Sequence, residues 1–238
     1  MNTRFSSKVV LVAGGTGGLG KAVALAFLHE GASVIATYII KEEADALRDT
    51  VGASAHLELL SLDATDATAC LALVDGITAR YGRLDILVNT IGGYAGGKAL
   101  WDTDPRTWNL MFNLNVNAGY ALCHAAVPAM LKQKSGSVVN IAARAALDHA
   151  AGAAAYASSK SAAVAMIDCL AQDLKGSGVR VNSVLPSIID TEVNRRAMPA
   201  ADFLQWPKPE EIARVILFLC TDEAKLIHGA AVPVYGQM

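Results

Sequence analysis

The chain predicts an α/β domain built on a doubly wound, parallel sheet of seven strands with helices on both faces. Three observations carry that expectation. Short β-branched runs alternate with stretches of helical apolar spacing along the 238 residues, the first such run ends in the glycine-rich turn "AGGTGGLG", and no Ser/Pro-rich linker breaks the composition. A single domain over residues 1–238 follows, with ligands expected outside the carboxyl ends of the strands.

The elements are read in order. "KVVLVAG" (8–14) is a strand closing on glycine, and "GKAVALAFLHEG" (20–31) a helix closed by a glycine suited to a C-cap. "SVIATY" (33–38) precedes the helix "KEEADALRDT" (41–50), and "HLELLSLD" (56–63) precedes "ATACLALVDGITARYG" (67–82). "LDILVNT" (84–90) leads to a long helical stretch over 105–133, and "GSVVNIA" (136–142) to a helix over 152–178. "RVNSVLP" (180–186), the helix "KPEEIARVILFLCTDEA" (208–224) and the strand "AAVPVYG" (230–236) complete the alternation.

Composition removes several classes of function. Lys and Arg total 20 against 22 Asp and Glu, with no basic stripe, so nucleic acid is not an expected partner. Apolar runs such as "ARVILFLC" fall far short of the roughly 20 residues of a membrane helix, and "MNTRFSSKVVLVAGG" lacks a secretory h-region. A soluble, cytoplasmic protein is expected. Cys70, Cys123, Cys169 and Cys220 are widely spaced, each within an apolar helical pattern, so buried reduced thiols are expected rather than disulfides or zinc. The five histidines show no paired ligand spacing, and no metal site is expected.

Two motifs carry chemistry. In the first strand-to-helix turn, Gly14, Gly18 and Gly20 allow a tight turn, close approach of phosphate and close helix packing; Thr16, Gly17 and Leu19 complete the loop. Far downstream, Tyr156 and Lys160 stand one helical turn apart and share a face. A neighbouring ammonium favours the phenolate, which brings a tyrosine of ordinary pKa about 10 into range for proton transfer.

The Gly-x3-Gly-x-Gly spacing together with Tyr156-x3-Lys160 resembles the short-chain dehydrogenase/reductase superfamily. The likeness covers nearly the whole chain: Asp63 in "SLDATD", "NTIGG" after the fourth strand, Asn115 in "FNLNVNAG" and "LPSIIDT" after the sixth all fall in order. It implies a Rossmann-type fold and hydride transfer between a nicotinamide and a small unsaturated acceptor, with Tyr156 as general acid or base and Lys160 also holding the nicotinamide ribose. It further implies that Asp63, beside Ala64, bonds the adenine amino group and that Asn89 to Gly92 pack under the adenosine. Pro186, Ile188 and Thr191 then lie by the nicotinamide and pyrophosphate, and Asn115, at a main-chain kink, holds a water linking the lysine to solvent. The lesser readings are a helix N-cap for Asp63 and a polar residue at a helix break for Asn115. A homodimer or homotetramer is implied, for which the alanine-rich faces of 104–133 and 153–176 are suited.

The resemblance implies NADP or NAD as cofactor. Tyr38 occupies the end of the second strand, where an acid would accept both ribose hydroxyls of NAD, and Lys41 is the close cation, which leans the reading slightly to NADP.

Ala143 stands where most relatives carry a serine that supports developing charge, a donor whose removal typically costs about 3–4 kcal/mol of transition-state stabilisation. The dihydropteridine reductase branch also lacks that serine. "GGYAGGKA" (92–99), "AARAALDHAAG" (142–152), "DTEVNRRAMPAADF" (190–203) and Trp206 are similar to it, with Tyr94 where the branch has tryptophan. Tyr38 in place of an aspartate and the general reductase pattern of the C-terminal stretch depart from it. Tyr94, Ala143 and Trp206 are therefore the expected substrate residues, under a short capping segment over 190–206. Two alternatives stand beside a dihydropterin-like acceptor. One is a carbonyl or quinone reductase in which Arg144, His149 or a water replaces the serine; the other is a catalytically weak, dinucleotide-binding regulatory protein.

Overall fold

The computed structural model describes residues 3–54 and 56–238. Seven strands, β1 (Val9–Ala13), β2 (Ser33–Tyr38), β3 (Leu57–Ser61), β4 (Ile86–Asn89), β5 (Gly136–Ile141), β6 (Val179–Pro186) and β7 (Ala231–Val234), form one parallel sheet ordered β3-β2-β1-β4-β5-β6-β7. Val10 pairs with Val34 of β2 on one side and Ile86 of β4 on the other, so the winding reverses at β1. That reversal opens a crevice at the carboxyl ends of β1 and β4, where open α/β sheets bind ligands.

The strands are apolar on both faces because both are covered. Leu11, Ile35, Leu87, Val138 and Val181 pack beneath α3 (Ala67–Tyr81), α5 (Ala118–Gln133) and α6 (Ala154–Asp173). Their neighbours Val10, Val12, Val34, Val88, Val139 and Val184 face the opposite layer, where α1 (Gly18–His29), α2 (Lys41–Val51) and α8 (Pro209–Leu219) contribute Val23, Phe27, Leu47, Ile212 and Ile216. The two-residue alternation of a strand thus divides one apolar run between two cores.

Local signals fix the helix ends. Asp66 caps α3 by accepting from the amides of Thr68 and Ala69, and Gly82 ends it in the left-handed conformation. Asp104 caps α4 (Pro105–Phe112), whose first residue is proline. The stretch 105–133, expected as one long helix, is instead α4, a π-helical turn over Asn113–Asn117, and α5. The inserted residue of that turn buries Asn115, and such turns recur at functional sites. A last short helix, α7 (Glu192–Ala197), follows β6. The expectation of four buried thiols needs correction: Cys70 and Cys123 are buried, but Cys169 is exposed on the outer face of α6 and Cys220 is half-buried. Among the described residues no helix is long and apolar enough to cross a membrane.

Candidate active site

The crevice is a cleft of about 260 Å³ between the glycine turn and the ends of β2, β3 and β4. Gly14 adopts φ +73°, a conformation side chains resist, and a Cβ on Gly20 would stand 2.0 Å from the Gly14 carbonyl oxygen, so α1 begins hard against the turn. Thr37 Oγ1 accepts from the Gly14 amide at 3.0 Å, and Thr90 Oγ1 donates to the Ala13 carbonyl at 2.7 Å, which pins the turn to β2 and to the residue after β4. Thr16, Gly17, Tyr38, Asp63, Ala64 and Gly92 line the cleft together with Ile39, Ile40, Glu43 and Ile91. Leu19 points into the core instead. Asp63 accepts from the Thr65 amide and hydroxyl at 2.9 and 2.7 Å, which holds its carboxyl below the usual aspartate range. The N-cap role that Asp63 also suggested belongs to Asp66.

Asn89 departs from its expected place under the adenosine. Its side chain is buried in the sheet, donating to Asn140 Oδ1 at 2.8 Å and accepting from the Ile91 amide at 3.1 Å, while Thr90, Ile91 and Gly92 face the cleft. It therefore acts by holding the turn after β4.

Tyr156 and Lys160 lie on the first two turns of α6, near the end of β5. Lys160 Nζ is buried and donates to the Ile141 carbonyl at 3.1 Å. Asn115 accepts from the Gly93 amide at 2.9 Å and donates to Ser159 Oγ at 2.9 Å; Ser159 in turn donates to the Tyr156 carbonyl at 2.8 Å. A Cβ on Gly92 would come within 2.8 Å of Asn115 Oδ1 and 2.9 Å of Lys160 Nζ, so glycine there lets both polar groups close on one point. The π-helical turn, the turn after β4 and α6 are thereby tied into one unit.

The electrostatics differ from the expectation that the ammonium depresses the phenol. Burial pushes Tyr156 up to about 12, with Tyr94 adding to it, and burial lowers Lys160 to about 8. Desolvation disfavours the charged form of each, and for both groups it is the leading cause of the shift. Tyr156 is thus firmly protonated at neutral pH.

Ala143 follows β5 with its methyl buried. The two side chains weighed as substitutes for a hydroxyl are directed elsewhere: Arg144 pairs with Asp148 at 2.9 Å and lies 5.3 Å over the Tyr235 ring, and His149 Nε2 lies 3.3 Å from both the Ala146 carbonyl and Ser161 Oγ. Tyr94, 70% exposed, meets the Tyr156 ring edge-on at 4.9 Å.

The pattern of a family model for the short chain dehydrogenases matches residues 8–202. The chain belongs to that family. A 3-oxoacyl-[acyl-carrier-protein] reductase of Thermotoga maritima is 33% identical over 242 residues, covering 98% of each chain. The D-threitol dehydrogenase of Mycolicibacterium smegmatis is also 33% identical, over 98% of this chain and 93% of that one. Among solved structures, ElxO with NADP bound superposes with a TM-score of 0.90 at 27% identity, over 96% of this chain and 97% of that one. As a short-chain dehydrogenase the protein is an NAD(P)-dependent oxidoreductase, with NADP or NAD as its cofactor.

In this family member the segment over 190–206 is a small packed unit. Thr191 caps α7 and leans on the glycine turn, its Cγ2 lying 2.8 Å from where a Cβ on Gly18 would stand. Arg195 pairs with Asp190 and lies 4.9 Å over Phe203. Trp206, expected against substrate, is buried with its ring 5.0 Å from Phe203, so it anchors the segment rather than offering a face to a ligand. Pro186 ends β6, and Ile188 lies in the short connection between it and this segment. Sequence reasoning missed Ser159 and Glu43. Ser159 was visible only as a residue beside Lys160, while Glu43 was passed over in the search for an acid at the end of β2.

Proposed function

We propose that the protein reduces a flat, conjugated small molecule, of the dihydropterin kind, with Tyr156 supplying the proton. The carrying observation is the buried methyl of Ala143 at the usual place of a second donor, with Arg144 and His149 turned to other partners. An acceptor that delocalises charge over its own ring asks less of the site than an isolated ketone does. The cleft and the residues packed beside it suit a dinucleotide: Gly14 to Gly20 and Thr191 for the pyrophosphate, Asp63 and Ile91 for the adenine end, and Lys160, next to Gly92, for the nicotinamide ribose. Bound there, the nicotinamide supplies the hydride. Tyr156, protonated at neutral pH, gives its phenolic proton to the acceptor heteroatom and is reprotonated from solvent past Lys160 and Asn115. Tyr94 offers an exposed aromatic beside the reacting phenol.

A second reading, reduction of an ordinary ketone, is favoured by the names of the relatives, a 3-oxoacyl reductase and a polyol dehydrogenase. Oxidation of NADH and NADPH is measured with a quinonoid dihydropterin beside a panel of ketones and quinones, for the native chain, Ala143→Ser and Tyr156→Phe. Tyr156-dependent pterin turnover that Ala143→Ser leaves unimproved is expected. Silence on pterin, with ketone reduction rising roughly 10²-fold in Ala143→Ser, overturns the reading in favour of the second. Dinucleotide binding without turnover of any acceptor points instead to a regulatory binding protein. Assembly as a homodimer or homotetramer through α5 and α6 belongs to the same reading and is checked by light scattering.

A further inference from the structure

We propose that Glu43 selects between the two nicotinamide dinucleotides, favouring NAD by standing where a 2′-phosphate would lie. The inference rests on the cleft being a dinucleotide site. Glu43 belongs to the first turn of α2, three residues beyond Ile40, and so escapes a search for acids at the end of β2. The fold nevertheless carries it back over the glycine turn, where Thr16 Oγ1 donates to Glu43 Oε2 at 3.0 Å. Both residues line the cleft with Tyr38, Ile39 and Ile40, on the side where the adenosine ribose would meet the end of β2.

A carboxylate so placed has acceptor capacity left after Thr16 is satisfied, and ribose hydroxyls are donors. A 2′-phosphate offers only further negative charge, and juxtaposed like charges discriminate strongly between ligands.

Nothing nearby reverses this sign. Among the described residues that line the cleft, none is Lys or Arg. Lys41 and Arg48 both turn to Asp45, and Lys21 donates to Thr50 at 3.2 Å. Gly17 carries no side chain although a Cβ there would have room, its nearest neighbour being the Gly14 carbonyl oxygen at 3.6 Å. The cation on which the slight lean to NADP was based is thus committed along its own helix, and an acid holds the cleft.

Equilibrium binding of NADH and of NADPH, followed by nicotinamide fluorescence without any acceptor, tests this in the native chain, in Glu43→Gln and in Glu43→Gln combined with Gly17→Arg. The native chain is expected to bind NADH at least about tenfold more tightly; Glu43→Gln should shrink that ratio severalfold by strengthening NADPH, and the double variant should invert it. Thr16→Val, which frees the carboxylate from its partner, should move the ratio in the same direction by less. Equal or tighter NADPH binding by the native chain, or a ratio that Glu43→Gln leaves unmoved, overturns the inference while the dinucleotide reading stands. Failure of the native chain to bind either dinucleotide overturns that reading and takes the inference with it.

Discussion

The two sides of the cleft are made by different means. Around the glycine turn the working surface is backbone, brought close by the absence of side chains at Gly14, Gly18 and Gly20 and pinned by Thr37 and Thr90. Around α6 it is side chain: one phenol, one ammonium, one amide and one missing hydroxyl, held by Asn115, Ser159 and the Ile141 carbonyl. A backbone surface is hard to change without unfolding the loop that makes it. A side-chain surface is changed by single substitutions that leave the fold alone, so on the proposed reading the proton chemistry is set on the α6 side and the pyrophosphate and adenine ends of the dinucleotide are held on the other.

Substitutions that part the two sides follow, in order of size. Tyr156→Phe removes the proton donor while keeping the ring that Tyr94 packs against, so kcat is expected to fall by roughly 10²–10⁴ with dinucleotide affinity unchanged, as read from steady-state kinetics beside a binding titration. A large loss of dinucleotide affinity would show instead that the phenol holds the cofactor beside Lys160 rather than serving the proton transfer alone. Gly20→Ala should do the reverse. Its Cβ meets a backbone oxygen that cannot rotate away, so a loss of about 3 kcal/mol in chemical denaturation and weakened binding of NADH and NADPH are expected together.

Lys160→Met comes next. The folded pKa of about 8 lies below the ordinary lysine value of 10.5, so between those values the unfolded chain binds more protons and stability rises with pH. Below pH 8 the buried ammonium costs roughly 3 kcal/mol. Methionine removes that cost but leaves the Ile141 carbonyl without its donor. The variant should be about 2 kcal/mol more stable at pH 7, should lose the rise between pH 8 and 10.5, and should be inactive. The native enzyme should in turn lose reductive kcat/KM as pH climbs through about 8, where the ammonium disappears.

The fold was legible in the sequence because its signals are local: β-branched runs, a glycine turn, a proline behind Asp104, a glycine after Tyr81. Tyr156 and Lys160 were legible for the same reason, being one helical turn apart. What escaped depends on chain segments far apart in sequence. Glu43 meets Thr16 across 27 residues and Asn115 meets Ser159 across 44, and no periodicity records either contact. The break at Asn115 came from the family resemblance and not from periodicity, because the one inserted residue of the π-helical turn barely disturbs the apolar spacing of 105–133. The direction of the Tyr156 shift was misjudged because a sequence shows that two groups are near but not how dry their surroundings are. Cys169 failed similarly, since an apolar pattern around a small residue does not say whether that residue falls on the buried side of α6 or beside the exposed Asp168, Gln172 and Asp173.

The smallest effect separates Asp63, which the sequence also allowed as an N-cap, from Asp66, which is the cap. Asp66 accepts from two amides at the start of α3, and Asp66→Ala should cost about 1 kcal/mol in chemical denaturation and leave dinucleotide binding untouched. Asp63 accepts from Thr65 and lines the cleft, so Asp63→Ala should weaken NADH and NADPH alike while costing less stability than the loss of the cap. Its carboxyl is held below the usual aspartate range, so the contribution of Asp63 to folding is present at neutral pH and is lost as the pH falls through that lowered value. If Asp63→Ala instead destabilised the chain with no change in either affinity, the residue would belong to the scaffold of the turn, and the adenine end of the cleft would be built, like its pyrophosphate end, from backbone.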